Sequence, residues 1–276
     1  MRFLTTLFAT LFLTASLQAE SITVSAAVSL KESLTQIGKT YESQTGDHVD
    51  FNFAASGPLA AQIAQGAPVD AFISAANKQA DELIKGGFAD AKSRQVIVKN
   101  EIVLIAAASA TDPPKDFADL TNPKITKIAI GQPKSVPAGQ YASQTLAALK
   151  LTDALSSKLV YGASVRQILD SVQRNEVDAG IVYATDARQA GDTVKLIATA
   201  DPGTHEPIEY PAVVITASLH AAAAEKFLRF LTSPTAQSDF SVNSLHPCSN
   251  QVGQLRIVRV LILPSKNQMH TARKRL

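Results

Sequence analysis

A single cysteine, Cys248, stands among 276 residues, so the chain can form neither an internal disulfide nor a cysteine-based metal cluster. Tryptophan is absent and aromatic residues make up only 6% of the chain. The stacking platforms of a sugar or oligonucleotide receptor would therefore have to come from few Tyr and Phe. The five histidines, His48, His205, His220, His246 and His270, include no i,i+4 pair and no link to a carboxylate pair, which indicates neither a metal site nor a catalytic triad. Glycine-rich phosphate loops are missing, and no serine sits in a Gly-x-Ser-x-Gly elbow. A true cationic surplus is lacking too. The formal charge is +2, but six Lys or Arg and no acid lie in Ser241 to Leu276; with those six and Arg2 set aside, 19 basic residues face 24 acidic ones, a net charge of −5. A mildly acidic body gives no support to nucleic-acid binding.

Arg2 precedes an uncharged apolar run from Phe3 to Ala15, followed by Ser16-Leu17-Gln18-Ala19 and then Glu20-Ser21. A charged start, a short apolar stretch and a small residue before the cut are the marks of a signal peptide, expected over residues 1–19. The run is too short for a membrane helix, which needs about 20 apolar residues. No cysteine lies near the cut, so a lipid-anchored start is not expected. The remaining chain, about 255 residues, suits one large domain or two lobes, and its expected location is the periplasm.

Strand and helix signals alternate along that chain. Ile22 to Val28 reads as a buried strand, and Leu30, Leu34, Ile37 and Tyr41 then keep helical spacing up to Gly46, a C-cap candidate. Ser29-Leu30-Lys31-Glu32 has the form of a capping box. Val49, Phe51 and Phe53 alternate with polar residues as in a strand. Ser56 opens a second helix that tolerates Pro58 in its first turn, and Val69 to Ala75 is a further buried strand. The same pattern returns with strands at Ile102 to Ala108, Ile125 to Ile130, Ala179 to Tyr183 and Pro211 to Thr216. Helices are expected from Pro137 to Lys150, after Ser164-Val165-Arg166-Gln167 (a second capping box) and over Ala221 to Leu231. Such alternation predicts an α/β fold with two lobes, each a mostly parallel sheet flanked by helices, with ligand in the cleft between them. Expected lobe I covers residues 20–100 plus 210–240, and lobe II residues 101–209.

Four motifs, Ala26-Ala27-Val28-Ser29-Leu30, Ala54-Ala55-Ser56-Gly57-Pro58-Leu59, Val136-Pro137-Ala138-Gly139-Gln140-Tyr141 and Ala163-Ser164-Val165-Arg166, place a small residue or a serine at a helix start. There the unpaired N–H groups and the positive end of the helix dipole suit an anion. The plain reading of Ser29 and Ser56 is N-capping, a role that does not exclude ligand binding, and Tyr183 reads as a core aromatic or as a donor pointed into a cleft. Together with Gly180-Ile181-Val182-Tyr183-x-x-Asp186-Ala187 and the run from Gln62 to Ala75, these motifs resemble the periplasmic molybdate-binding proteins of bacterial ABC importers, over about Ile22 to Phe240. The resemblance implies a tetrahedral oxyanion held by the hydroxyls of Ser29, Ser56 and Tyr183 and the amides of Ala138 and Val165. It also implies a monomer that passes molybdate, and tungstate, to a membrane permease and its ATPase, with no cofactor, no metal beyond that in the oxyanion, and no catalysis.

Molybdate carries no proton at neutral pH, so a cage of donors alone suits it, whereas hydrogen phosphate wants an acceptor, usually a carboxylate, which none of the five positions offers. Sulfate shares the charge and shape, so a sulfate or other oxyanion receptor is the alternative within the class. A secreted serine hydrolase using Ser29 or Ser56 is the alternative outside it. From residue 241 the chain departs from the family's usual ending into a basic segment, residues 241–276, expected as an aberrant tail.

Overall fold

The computed structural model describes residues 19–242 and 245–247. The expected signal peptide, all but its last residue, and most of the basic tail lie outside the described residues. From the start, the chain forms β1 (Ser21–Ala27), a 3-10 turn over Val28–Leu30, α1 (Lys31–Thr45), β2 (His48–Ala54), α2 (Ser56–Ala64), β3 (Ala71–Ile73), α3 (Asn77–Lys85) and β4 (Gln95–Lys99). It crosses into β5 (Ile102–Ala107), β6 (Ile128–Gly131), α4 (Pro137–Ala148), α5 (Thr152–Leu155), β7 (Leu159–Gly162), α6 (Val165–Gln173), β8 (Ala179–Tyr183), α7 (Ala184–Ala190) and β9 (Val194–Thr199). It returns through β10 (Glu209–Val214), α8 (Ala221–Leu231), α9 (Pro234–Val242) and β11 (His246–Pro247).

The strands make two sheets, ordered β11-β4-β10-β3-β1-β2 and β7-β6-β8-β5-β9. Both are mixed, which corrects the expectation of mostly parallel sheets. β1 runs parallel to β2 and β3, and β6 to β7 and β8, as strand–helix–strand units require. β10 is antiparallel to β3 and β4, and β5 to β8 and β9. The reason is the path of the chain. β5 and β10 enter their sheets from the boundary between the two, at the end where the parallel strands finish, so they run against them. The carboxyl ends of β1, β2, β6, β7 and β8 therefore face that boundary, and the helices that follow begin there.

Alternation along the strands sends side chains to both faces. In β3, Ala71 and Ile73 pack with α1 and α8 residues such as Leu34, Ile37, Tyr41 and Phe227, while Phe72 packs with Leu59 and Ile63 of α2 and Leu83 of α3. The Tyr41 ring meets Phe227 edge-on at 5.1 Å between centroids. In the second sheet α4 and α6 cover β6 and β8. α9 runs past residue 240, Leu245 is buried, and His246–Pro247 pair with Val98 and Lys99. The segment expected as a tail from residue 241 thus begins inside the fold. Among the described residues no helix is long and apolar enough to cross a membrane.

α4 approaches β6 so closely that a Cβ on Gly139 would lie 2.0 Å from the Gly131 carbonyl oxygen. Gly139→Ala should therefore lift the start of α4 and lower stability by about 1–3 kcal/mol, the usual cost of overpacking, which urea denaturation would measure.

Candidate functional site

The helix starts that follow β1, β2, β6 and β7 meet between the sheets, as the strand ends dictate. Ser29, Ser56, Ala138, Val165 and Tyr183 all line one narrow cavity there, of only about 10 Å³, the room of roughly one water. The lining holds no Lys, Arg, His, Asp or Glu. Ala138 and Val165 occupy the first two positions of α4 and α6, where the amide has no carbonyl within its own helix to bond. Pro137 at the start of α4 has no amide of its own to place.

Neither Ser29 nor Ser56 is an N-cap. Ser29 lies within the 3-10 turn, so α1 begins only at Lys31, and Glu32 extends its carboxylate to Arg166 instead of back to Ser29. The Ser29 Oγ is 3.2 Å from the Tyr210 hydroxyl. Ser56 is the first residue of α2, with Ala55 in the cap position, and its Oγ accepts the Ala75 amide at 3.0 Å. Of the two expected capping boxes the second is nearly formed. Ser164 accepts from the Gln167 amide at 3.2 Å, but the Gln167 side chain takes the Ala163 amide, one residue earlier than expected.

Tyr183 ends β8 fully buried, and its hydroxyl donates to the Ala75 carbonyl at 3.0 Å, linking the second sheet's side of the cavity to the first. Burial pushes its ionisation well above the usual phenol range, which keeps it a donor. A second main-chain link joins the Gly57 amide to the Ser135 carbonyl at 3.0 Å. Ala75, Ser135, Asn100 and Tyr210 were not singled out in the sequence. The first two act through the backbone, which no residue type announces; Asn100 lies on the first crossing and Tyr210 is second in β10, and neither stands in a motif that marks it.

Beside the cavity, Arg166 reaches Glu32 of α1 and lies 3.2 Å from Asp186 of α7, within ion-pair distance although its Nε–H is not aligned as a hydrogen bond. Asp186 is completely buried. Burial pushes its carboxyl up to about 7, opposed by Arg166 and assisted by Glu32. Ser29 and Ser56 have neither an imidazole nor a carboxylate among their hydrogen-bond partners, so no hydrolytic triad is assembled. No group of three or more potential metal ligands occurs among the described residues.

The folded protein holds the Asp186 proton up to about pH 7, and the unfolded chain releases it near 3.8. Between those values the folded state binds more protons, so lowering the pH from 8 to 5 stabilises the fold through this group. In Asp186→Asn that increment should shrink by roughly 1–3 kcal/mol, since each pKa unit corresponds to about 1.4 kcal/mol. Chemical denaturation of both proteins at pH 8 and 5 checks it.

The model of the bacterial extracellular solute-binding proteins matches residues 22–241. YvgL of Bacillus subtilis, described as a candidate ABC transporter substrate-binding lipoprotein, is 38% identical over 224 residues, covering 80% of this chain and 84% of that one. The molybdate-binding protein ModA of Haemophilus influenzae is 36% identical over 220 residues, covering 78% and 86%. Among solved structures, the periplasmic molybdate-binding protein of Azotobacter vinelandii superposes with a TM-score of 0.73 at 27% identity, over 81% of this chain and 98% of that one. Two mixed sheets joined by two crossings, with a donor-lined cavity between them, agree with these likenesses: the chain belongs to the bacterial extracellular solute-binding protein family.

Proposed function

We propose that this protein is an exported receptor that captures molybdate, and tungstate with it, and delivers it to the membrane permease and cytoplasmic ATPase of an ABC importer. The observation that carries this reading is the convergence of Ser29, Ser56, Ala138, Val165 and Tyr183 on one cavity whose lining bears no charged side chain. In the proposed site three hydroxyls and two amides donate to the oxyanion, and the ordered helix ends supply the balancing field. Hydrogen bonds to a charged acceptor are shorter and stronger than neutral ones. No buried cation then has to be desolvated in the ligand-free state.

Residues 20–100 with 210–240 would move against residues 101–209 about the two crossings near Asn100 and Tyr210, and the closed monomer would be the form that the permease receives. Tyr183 would exchange the Ala75 carbonyl for the anion, so ligand entry replaces one acceptor of its proton with a charged one.

Calorimetry with molybdate, tungstate, sulfate and phosphate tests the reading, with molybdate and tungstate expected to bind far more tightly than the other two. Equal affinity for sulfate would make this a general oxyanion receptor. Ser29→Ala or Ser56→Ala should weaken molybdate binding by roughly tenfold to a hundredfold, the worth of a hydrogen bond to a charged group. Tyr183→Phe keeps the ring, and should reduce the rise in melting temperature that saturating molybdate produces. An undiminished rise would remove Tyr183 from the site.

A further inference from the structure

The proton of a serine hydroxyl can point either way, and a site that binds by donation needs it pointed at the ligand. For Ser56 the backbone decides. The Ala75 amide can only donate, and it occupies the Ser56 Oγ at 3.0 Å, leaving the hydroxyl proton for the cavity. For Ser29 the partner is Tyr210, a residue that can give or take, and the direction has to be set from behind.

Asn100 sets it. This buried residue lies between β4 and β5, on the first crossing. Its Oδ1 accepts the Glu101 amide at 2.9 Å, which fixes the side-chain amide so that Nδ2 carries the two hydrogens. One goes to Thr185 Oγ1 at 3.0 Å and the other to the Tyr210 hydroxyl oxygen at 2.9 Å. Tyr210, fully buried as the second residue of β10, therefore accepts from Asn100 and keeps its own proton to give. Ser29 Oγ lies 3.2 Å away, within reach of that proton. A Ser29 oxygen that accepts from Tyr210 has its own hydrogen free for the cavity that it lines.

We propose that Tyr210, oriented by Asn100, is a specificity-determining positioning residue that holds the Ser29 hydroxyl as a donor and so favours fully deprotonated oxyanions over hydrogen-bearing ones. The inference rests on the receptor reading above. With both serines held as donors, hydrogen phosphate finds no acceptor for its proton, and burying that proton unpaired is costly. Molybdate and sulfate have no such proton and meet donors only.

Two variants test the relay from opposite directions. Tyr210→Phe keeps the ring and removes the link, so Ser29 can turn and accept. Asn100→Asp keeps the shape but turns the donor facing Tyr210 into an acceptor, which draws the phenol proton away from Ser29. Calorimetry at pH 8 would compare molybdate, sulfate and inorganic phosphate, the last titrated directly and as a competitor of molybdate. Because all three are then mainly dianions, the charge that Asn100→Asp adds cancels in their ratios. In both variants the preference for molybdate over phosphate should narrow tenfold or more, while the molybdate-to-sulfate ratio stays constant. An unchanged preference for molybdate over phosphate, with all three anions weakened equally, overturns the relay and leaves the receptor reading standing. Failure of both variants to fold, judged by circular dichroism, would likewise assign the pair to structure alone. Failure of the unmodified protein to bind molybdate would overturn the receptor reading and the relay with it.

Discussion

An ion that leaves water must have its lost hydration replaced, and a cavity without a fixed cation can do this only with dipoles that already point inward. The rest of the architecture follows from that demand. Helix starts supply such dipoles, parallel strand–helix units put those starts at one end of a sheet, and two sheets facing each other at those ends bring the starts together. The two antiparallel strands β5 and β10 are the cost of linking the sheets, because each has to leave the boundary that the helices face. Their crossings are not idle connections: Asn100 and Tyr210 meet there and touch both Ser29 and Thr185.

Formal charge is present near the cavity but held outside it. Arg166 follows Val165 immediately, yet its guanidinium is directed toward Glu32 and Asp186 and does not line the cavity. One cation with a carboxylate from α1 and another from α7 makes a cluster that spans the two sheets. The Arg166–Glu32 pair is partly exposed and contributes little net stability, so its value lies in where it places α6 relative to α1. The cavity beside it is left to neutral donors.

Much of this was legible in the sequence because the relevant signals are local. Period-2 alternation at Val49, Phe51 and Phe53 marked β2, and helical spacing from Leu30 to Tyr41 marked α1 and its end at Gly46. The five candidate residues were named from motif resemblance, and the structure brings all five to one cavity. What failed, failed because it depends on distant partners. The Ser29 to Glu32 spacing fits a capping box, but a 3-10 turn intervenes and Arg166, 134 residues away in sequence, takes the carboxylate. Strand direction beyond the strand–helix units is likewise decided by which sheet the chain comes from. The grip of Ser56 and Tyr183 on Ala75 uses a main-chain amide and carbonyl that any residue could have supplied.

The contact between Gly57 and Ser135 has a metrological side. A Cβ on Gly57 would fall 2.3 Å from the Ser135 carbonyl oxygen, so at this point two bare main chains touch, and no side chain can act as a compressible pad between them. Side-chain stops vary with rotamer, by an ångström or more, whereas backbones seated at the start of a helix hardly vary at all. Closest approach is therefore gauged by the least adjustable parts of the molecule. A receptor gauged in this way has the width of its cleft set by its backbone, as a machinist's block sets a gap without measuring it.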